Sequence, residues 1–303
     1  MNEKIIYALG YFDGVHVGHQ ALLSACRRLA EQTGCRTGVV TFDGHPDTLV
    51  FGKTPRLINT SEDRFRLLKA FGMDTVVTLP FDRHMMQMPW QDFYRMLKEE
   101  YHAGGLVCGH DFRFGIGGEG SGEKLLQVCR EDGLQCEVVP KQTLDGITVS
   151  STYIRTLLES GDMERANRFL GHPQVLTGNV VTGRQLGRTI GIPTANLRLP
   201  EGLVEVRRGV YACLALAEGK VYPAVTNVGI RPTVGGTHVT VEPWILDFSG
   251  DLYGRPVTLE FFRFLRPEKK FDSLEELQTE IRKNALQTRE FFEKNGKFPF
   301  TFG

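Results

Sequence analysis

No Gly-x4-Gly-Lys-Ser/Thr run occurs anywhere in the 303 residues, which excludes a P-loop as the means of holding a nucleotide. Cys-x-x-Cys is absent as well. The six cysteines, Cys26, Cys35, Cys108, Cys129, Cys136 and Cys213, are scattered through segments with helix or strand patterning and read as reduced thiols, so neither zinc nor disulfides are expected. Charge of one sign is not in excess: Lys+Arg and Asp+Glu number 36 each, and the sequence pI is about 7.1. No global basic field then favours nucleic acid or a membrane surface as partner, and any phosphate binding must be local. No apolar run is long enough to span a bilayer, and Met1 to Lys4 followed by a short apolar run lacks the pattern of a secretory signal. A cytoplasmic protein is expected, and a homo-oligomer is compatible with it. With 41% hydrophobic residues, the length suits one large domain or two of ordinary size.

What is present begins at Gly10 to His19, reading Gly-Tyr-Phe-Asp-Gly-Val-His-Val-Gly-His. The apolar run Ile5 to Leu9 before it suits a buried parallel strand, and Gln20 to Gln32 after it carries Leu22, Leu23, Cys26, Leu29 and Ala30 at helical spacing. The stretch is therefore read as a strand-to-helix turn at the carboxyl end of a parallel strand, where a helix N-terminus offers free N–H groups to an anion. Gly10, Phe12, Asp13, Gly14 and Gly18 belong to this turn, with Gly14 and Gly18 expected to let the backbone approach a phosphate. His16 and His19, three residues apart, fall on one helix face and can grip the same phosphate. A single histidine near a helix start would read as a cap or a surface residue; two in this setting point to nucleotide chemistry.

Further along, Arg36 to Phe42 is expected as a strand closed by Asp43-Gly-His-Pro46, Ser61 to Phe71 as a helix capped by Ser61, and Thr75 to Leu79 as a strand. A helix over Pro89 to Tyr101, a strand over Leu106 to Cys108, a helix over Glu123 to Glu131 and a strand over Cys136 to Val139 continue the alternation of a doubly wound α/β domain. Gly115-Ile-Gly-Gly-Glu-Gly120 formally matches the dinucleotide pattern Gly-x-Gly-x-x-Gly. His110 to Phe114 separate it from the strand, however, and the helix begins only after Gly122, so a phosphate-covering loop is the better reading. Ser150-Ser-Thr-Tyr-Ile-Arg155 then opens another helix.

Taken together, Gly10 to His19, Thr41 to Pro46, Gly109 to Gly115 and Ser150 to Arg155 resemble the adenylyltransferase module of prokaryotic bifunctional riboflavin kinase/FAD synthetases, whose His-x-Gly-His signature serves nucleotidyl transfer. The resemblance implies that His16 and His19 bind the ATP phosphates and steady the transition state. It places Asp111 and Phe112 in the flavin and nucleotide pocket, and makes Ser150, Ser151, Thr152 and Arg155 a second phosphate-binding motif. Hydroxyls at a helix start and a guanidinium fork suit a pyrophosphate leaving group. The chain has Asp43-Gly44 where the family usually has Glu-Pro.

After the breaker Gly171-His-Pro173 the pattern turns to β. Val175 to Val181, Gly209 to Ala217, Val221 to Val228, Thr237 to Leu246 and Val257 to Leu265 are β-rich, with one amphipathic helix from Ser273 to Phe292, which suggests a small closed barrel. The expected division is 1–172, a Rossmann-like doubly wound parallel-sheet nucleotidyltransferase domain, and 173–303, a β-barrel domain with a C-terminal helix. Gly183 to Asn196, Asn227 to Thr233 and Val241 to Phe248 resemble the riboflavin kinase module. By that resemblance Gly183, Gly187, Arg188, Gly191 and Pro193 cradle ATP, Thr194 and Asn196 hold Mg²⁺, Glu242 is the catalytic base, and Asn227 and Trp244 lie on the flavin side. The family usually has Glu-x-His where Glu242-Pro243-Trp244 stands, and a proline here demands a strand edge or bulge. The activities implied are phosphorylation of riboflavin to FMN and adenylylation of FMN to FAD, with ATP as co-substrate. A chain with one live activity, or a flavin-sequestering protein, is the alternative.

Overall fold

The computed structural model describes residues 4–183, 191–233 and 236–296. They form two compact units, Met1–Leu57 with Arg64–Ser151, and Ile58–Asp63 with Thr152–Gly303.

The first unit is built on β1 (Ile5–Leu9), α1 (Val17–Thr33), β2 (Arg36–Phe42), α2 (Pro46–Val50), most of α3 (Ser61–Ala70), β3 (Thr75–Leu79), α4 (Arg83–Gln87), α5 (Trp90–Glu99) and β4 (Ala103–Gly109). A small hairpin, β5 (Arg113–Phe114) and β6 (Gly120–Ser121), leads into α6 (Gly122–Glu131) and β7 (Gln135–Val139), and a second hairpin, β8 (Thr143–Leu144) and β9 (Ile147–Thr148), follows. The main sheet runs β3-β2-β1-β4-β7 with every pair parallel. Strands covered on both faces need apolar residues at successive positions, and Ile6, Tyr7, Ala8 and Leu9 of β1 are all buried. The order departs from β1 toward β2 and β3 on one side and toward β4 and β7 on the other, which makes the carboxyl ends of β1 and β4 the topological switch point where ligands bind. Four of the cysteines, Cys26, Cys108, Cys129 and Cys213, are buried. Burial pushes the Cys26 thiol up to about 11 and the Cys108 thiol up to about 12, which leaves both poor nucleophiles.

The second unit contains nearly all of α7 (Ser151–Ser160), then α8 (Met163–Leu170), β10 (Gln174–Val181), β11 (Asn196–Arg198), β12 (Gly209–Ala217), β13 (Lys220–Thr233), β14 (Gly236–Ile245), β15 (Pro256–Arg266) and α9 (Leu274–Asn295). The strands close into a barrel in the order β10-β11-β14-β13-β12-β15. The short β11, which alternation alone does not reveal, completes that closure. Eight of the nine residues of β12 are buried, because its inner face fills the barrel and its outer Val210 and Leu214 lie in apolar clusters with Ala285, Phe291 and Phe292 of α9.

This unit reaches back beyond the β-rich half. Asn167 on α8 accepts from Gln174 N at 2.9 Å and donates to Phe261 O at 2.7 Å, while Phe169 and Leu170 are wholly buried. Asp63 accepts from Thr177 N at 3.1 Å and Thr177 Oγ1 at 2.5 Å, and Gln174 Nε2 donates to Ile58 O at 2.9 Å. The cap of α3 is Thr60 and not Ser61, since Thr60 Oγ1 accepts from Asp63 N at 2.9 Å.

Candidate active site

The backbone leaving β1 takes a constrained path. Phe12 (φ 62°), Gly14 (φ 81°) and Val15 (φ 39°) all lie in the left-handed region, which costs nothing for glycine but strains a β-branched residue. Complete burial of Phe12 and Val15 holds them there, and Thr41 Oγ1 fixes the turn by donating to Tyr11 O at 3.0 Å. Backbone strain of this kind clusters at functional sites in proteins generally.

The path delivers two imidazoles to the start of α1. His16 is the N-cap, its Nδ1 accepting from His19 N at 3.2 Å, so that Nε2 carries the proton and remains a donor. The rings of His16 and His19 stack with centroids 3.6 Å apart and planes within 9°. His19 is held well below the usual histidine range, first by loss of solvation, then by the neighbouring charges of His16 and Arg64. A neutral ring that donates without carrying charge is the result, and its Nδ1 is buried with no hydrogen-bond partner among the described residues. Gly18 also makes room for the imidazole: a Cβ there would stand 3.2 Å from the His16 ring.

The second motif arrives by a direct bond. Ser151, first residue of α7, donates from Oγ to Asp13 O at 2.9 Å, which fastens Ser150 and Ser151 to the β1–α1 turn. Asp13 is itself buried. Thr152 is exposed and Arg155 half-buried on α7, and both fall in the second compact unit.

Asp111 and Phe112 follow β4, the strand beside β1. The Asp111 carboxylate is 82% exposed, and Phe112 stacks on Phe114 with centroids 5.5 Å apart. The glycine run after them is a hairpin, not a dinucleotide turn. A Cβ on Gly115 would meet Trp90 at 2.7 Å, a Cβ on Gly120 would meet Phe114 at 2.7 Å, and α6 starts at Gly122 with Ser121 as its cap. These glycines serve close packing, Gly115 against the Trp90 backbone and Gly120 under the Phe114 ring.

On the barrel, Glu242 and Asn227 stand directly opposite each other on β14 and β13, half-buried and on the outward face. Trp244, two residues on, shares that face and packs against Val210, Val225 and Leu246 on the barrel and Ala285 of α9. Pro243 between them points inward and is tolerated for a readable reason. Its carbonyl accepts from Ala195 N at 2.9 Å, so its missing N–H lies on the β11 side, at the point where that strand has ended. The same bond anchors Pro193, Thr194 and Asn196 beside Glu242's strand. Asn196 Oδ1 is buried without a hydrogen-bond partner among the described residues, and a Cβ on Gly183 would overlap the Asn196 amide. Gly191 takes a left-handed φ of 69°, and Gly187 and Arg188 lie outside the described residues.

Two family models match the chain: FAD synthetase over residues 1–153 and riboflavin kinase over residues 170–292. The bifunctional riboflavin kinase/FMN adenylyltransferase of Listeria monocytogenes is 34% identical over 293 residues, covering 95% of this chain and 93% of that protein. The protein of the same name from Escherichia coli K12 is 36% identical over 295 residues, covering 96% and 93%. The chain belongs to the bifunctional riboflavin kinase/FMN adenylyltransferases. A crystal structure titled as a macrolide-efflux protein from Streptococcus pneumoniae shares the fold, with a TM-score of 0.86, 30% identity and 95% of each chain covered.

Sequence reasoning missed one group beside the β1–α1 turn. Arg64, near the start of α3, is 3% exposed, donates to Phe42 O at 3.0 Å and lies 4.2 Å from the centroid of the Tyr11 ring. His45, left without a role by its motif, meets the other side of the cluster, its ring 4.5 Å from that of Tyr11, and caps α2 by accepting from Asp47 N at 3.2 Å. Ser-Glu-Asp-Arg reads as an ordinary acidic first helical turn, so nothing in the local pattern signals Arg64.

Proposed function

We propose that the two reactions of this family are divided between residues 1–172, which adenylylate FMN, and residues 173–303, which phosphorylate riboflavin. The observation that carries the reading is the Ser151–Asp13 bond, which brings the hydroxyl-rich start of α7 to the start of α1 beside two stacked, donor-bearing imidazoles. Within the first unit, the Ser150 and Ser151 hydroxyls beside the N-terminus of α1, at the switch point of a parallel sheet, suit a polyphosphate.

In the first reaction an ionised phosphate oxygen of FMN attacks the α-phosphorus of ATP, forming one P–O bond as the bond to the β-phosphate oxygen breaks and pyrophosphate leaves. The nucleophile is already anionic, so no base is required. The task is to stabilise charge on the α-phosphate and on the departing oxygen, for which His16 Nε2, the neutral His19, the free N–H groups of α1 and Ser150 and Ser151 are the candidates. Thr152 and Arg155 join them on the resemblance, and Asp111 and Phe112 border the flavin.

In the second reaction Glu242 takes the proton from the ribityl 5′-hydroxyl as that oxygen bonds to the γ-phosphorus and ADP leaves. Asn227, across from it, and Trp244 would meet the flavin. Gly183, Gly191 and Pro193, with Gly187 and Arg188, would border ATP. Thr194 and Asn196 fit Mg²⁺: both supply hard oxygen on short side chains, and the buried Asn196 Oδ1 has no partner among the described residues. Bound there, the metal would neutralise phosphate charge.

The setting proposed is the cytoplasm, with riboflavin, FMN and ATP as partners rather than nucleic acid or membrane, and with a homo-oligomer compatible. No helix among the described residues is long and apolar enough to cross a membrane. Incubation with riboflavin and MgATP, with riboflavin, FMN and FAD resolved over time, tests the reading. A single live activity stops at one step, and a sequestering protein yields no product.

A further inference from the structure

Arg64 is a cation in an unusual position. Its guanidinium carries five N–H donors, yet among the described residues its hydrogen bonding is one contact to Phe42 O, and no carboxylate pairs with it. Stacking over Tyr11 offsets part of the cost of burying that charge, but a cation 3% exposed ordinarily requires an anion close by. Its surroundings show where the anion belongs. Tyr11 lies in the β1–α1 turn, Phe42 ends the adjacent β2, and Arg64 is close enough to His19 to lower that residue's proton affinity.

His19 is neutral, so that ring supplies a hydrogen bond but no net charge. A polyphosphate seated at the start of α1 needs a permanent positive charge, and the first unit places one on the β2 side of that turn, opposite the β4 side where Asp111 and Phe112 lie. We propose that Arg64 is an anion-binding residue of the adenylyltransferase site, its unused donors directed to phosphate oxygens of a substrate. The inference rests on the reading of the first unit as the FMN adenylyltransferase. The phosphate chemistry is shared by the ATP triphosphate and the FMN monophosphate, and kinetics separate them.

The test compares Arg64→Gln and Arg64→Lys with the parent, using full-length protein. In Arg64→Gln, kcat/KM for FAD formation from FMN is expected to fall by about 10²-fold, the scale of losing one charged donor at a developing anion. KM for ATP rises if the triphosphate is the ligand, and KM for FMN rises if the monophosphate is. Arg64→Lys, which keeps the charge and loses the planar fork, should retain more activity than Arg64→Gln. With the cation gone, His19 gains proton affinity, so the acid limb of the pH profile moves to higher pH. Without ligand, Arg64→Gln should unfold at a temperature no lower than the parent, because an unpaired buried charge has been removed; a merely structural arginine would behave in the opposite way. Riboflavin phosphorylation by the same preparation should be unchanged. Unaltered KM values for both substrates together with an unaltered pH profile would overturn the proposal. A parent that makes no FAD from FMN would instead defeat the reading of the first unit. The assignment of Arg64 would then stand or fall on whether inorganic pyrophosphate raises the unfolding temperature of the parent and not that of Arg64→Gln.

Discussion

Replacing His19 by Gln tests the electrostatics of the first site and its chemistry in one variant. In the folded protein His19 stays neutral well below the usual histidine range, mainly because it is desolvated. In the unfolded chain it titrates near 6.5. Below that pH the unfolded state binds a proton that the folded state does not, so stability falls as pH falls, and it is fully present only above 6.5. Moving from pH 7.5 to pH 5.5 therefore removes on the order of 1 kcal/mol of stability through this one group. That corresponds to roughly a few degrees in the unfolding temperature of a domain this size. The variant lacks this contribution while sharing every other titrating group. Thermal unfolding of both proteins at the two pH values should therefore show the parent losing more by about that amount. Identical pH dependence in parent and variant would refute a neutral, desolvated His19. In the assay, FAD formation from FMN should fall by about 10² to 10³ in rate with the lost donor. Riboflavin phosphorylation should continue, and an equal fall in both activities would refute the division of labour.

Glu242→Gln should cut riboflavin phosphorylation by about 10² to 10⁴ while conversion of supplied FMN to FAD stays near the parental rate, measured by product separation; retained kinase turnover would remove Glu242 as the base. Asn196→Ala should raise the Mg²⁺ concentration needed for half-maximal FMN formation, read from a metal titration, and an unshifted midpoint would place the metal elsewhere. Gly18→Ala should lower FAD formation selectively, because the new Cβ meets the His16 ring at 3.2 Å, whereas normal FAD formation would show that the ring can move aside at no cost. A fragment of residues 174–303 should unfold at a lower temperature than one of residues 152–303, since it loses the Asn167 bonds and the buried Phe169 and Leu170; equal unfolding temperatures would show α8 to be dispensable.

Elements whose pattern is local and strong were legible in advance. β2, β3 and β12 run over the residues the sequence indicates: β2 and β12 because a buried strand is mostly apolar at successive positions, and the edge strand β3, only partly buried, because its run of Thr, Val and Leu favours extended backbone. The pairing of His16 with His19 was legible for the same kind of reason, since a spacing of three at a helix start places two side chains on one face whatever the rest of the chain does.

Other features depend on partners distant in sequence, and only the folded chain supplies them. β11 is too short to show a period, and its identity as a strand comes from pairing with β10 and β14. Pro243 is compatible with its barrel strand only because β11 stops beside it. Gly18 also makes room for a ring two residues away whose direction was decided by capping. Ser151 meets Asp13 across 138 residues, and Arg64 meets Tyr11 across the sheet edge. Residue types and spacings along one element determine which groups a surface can offer. Which of those groups share a site, and which cation is buried without its anion, is decided by the order in which the strands assemble.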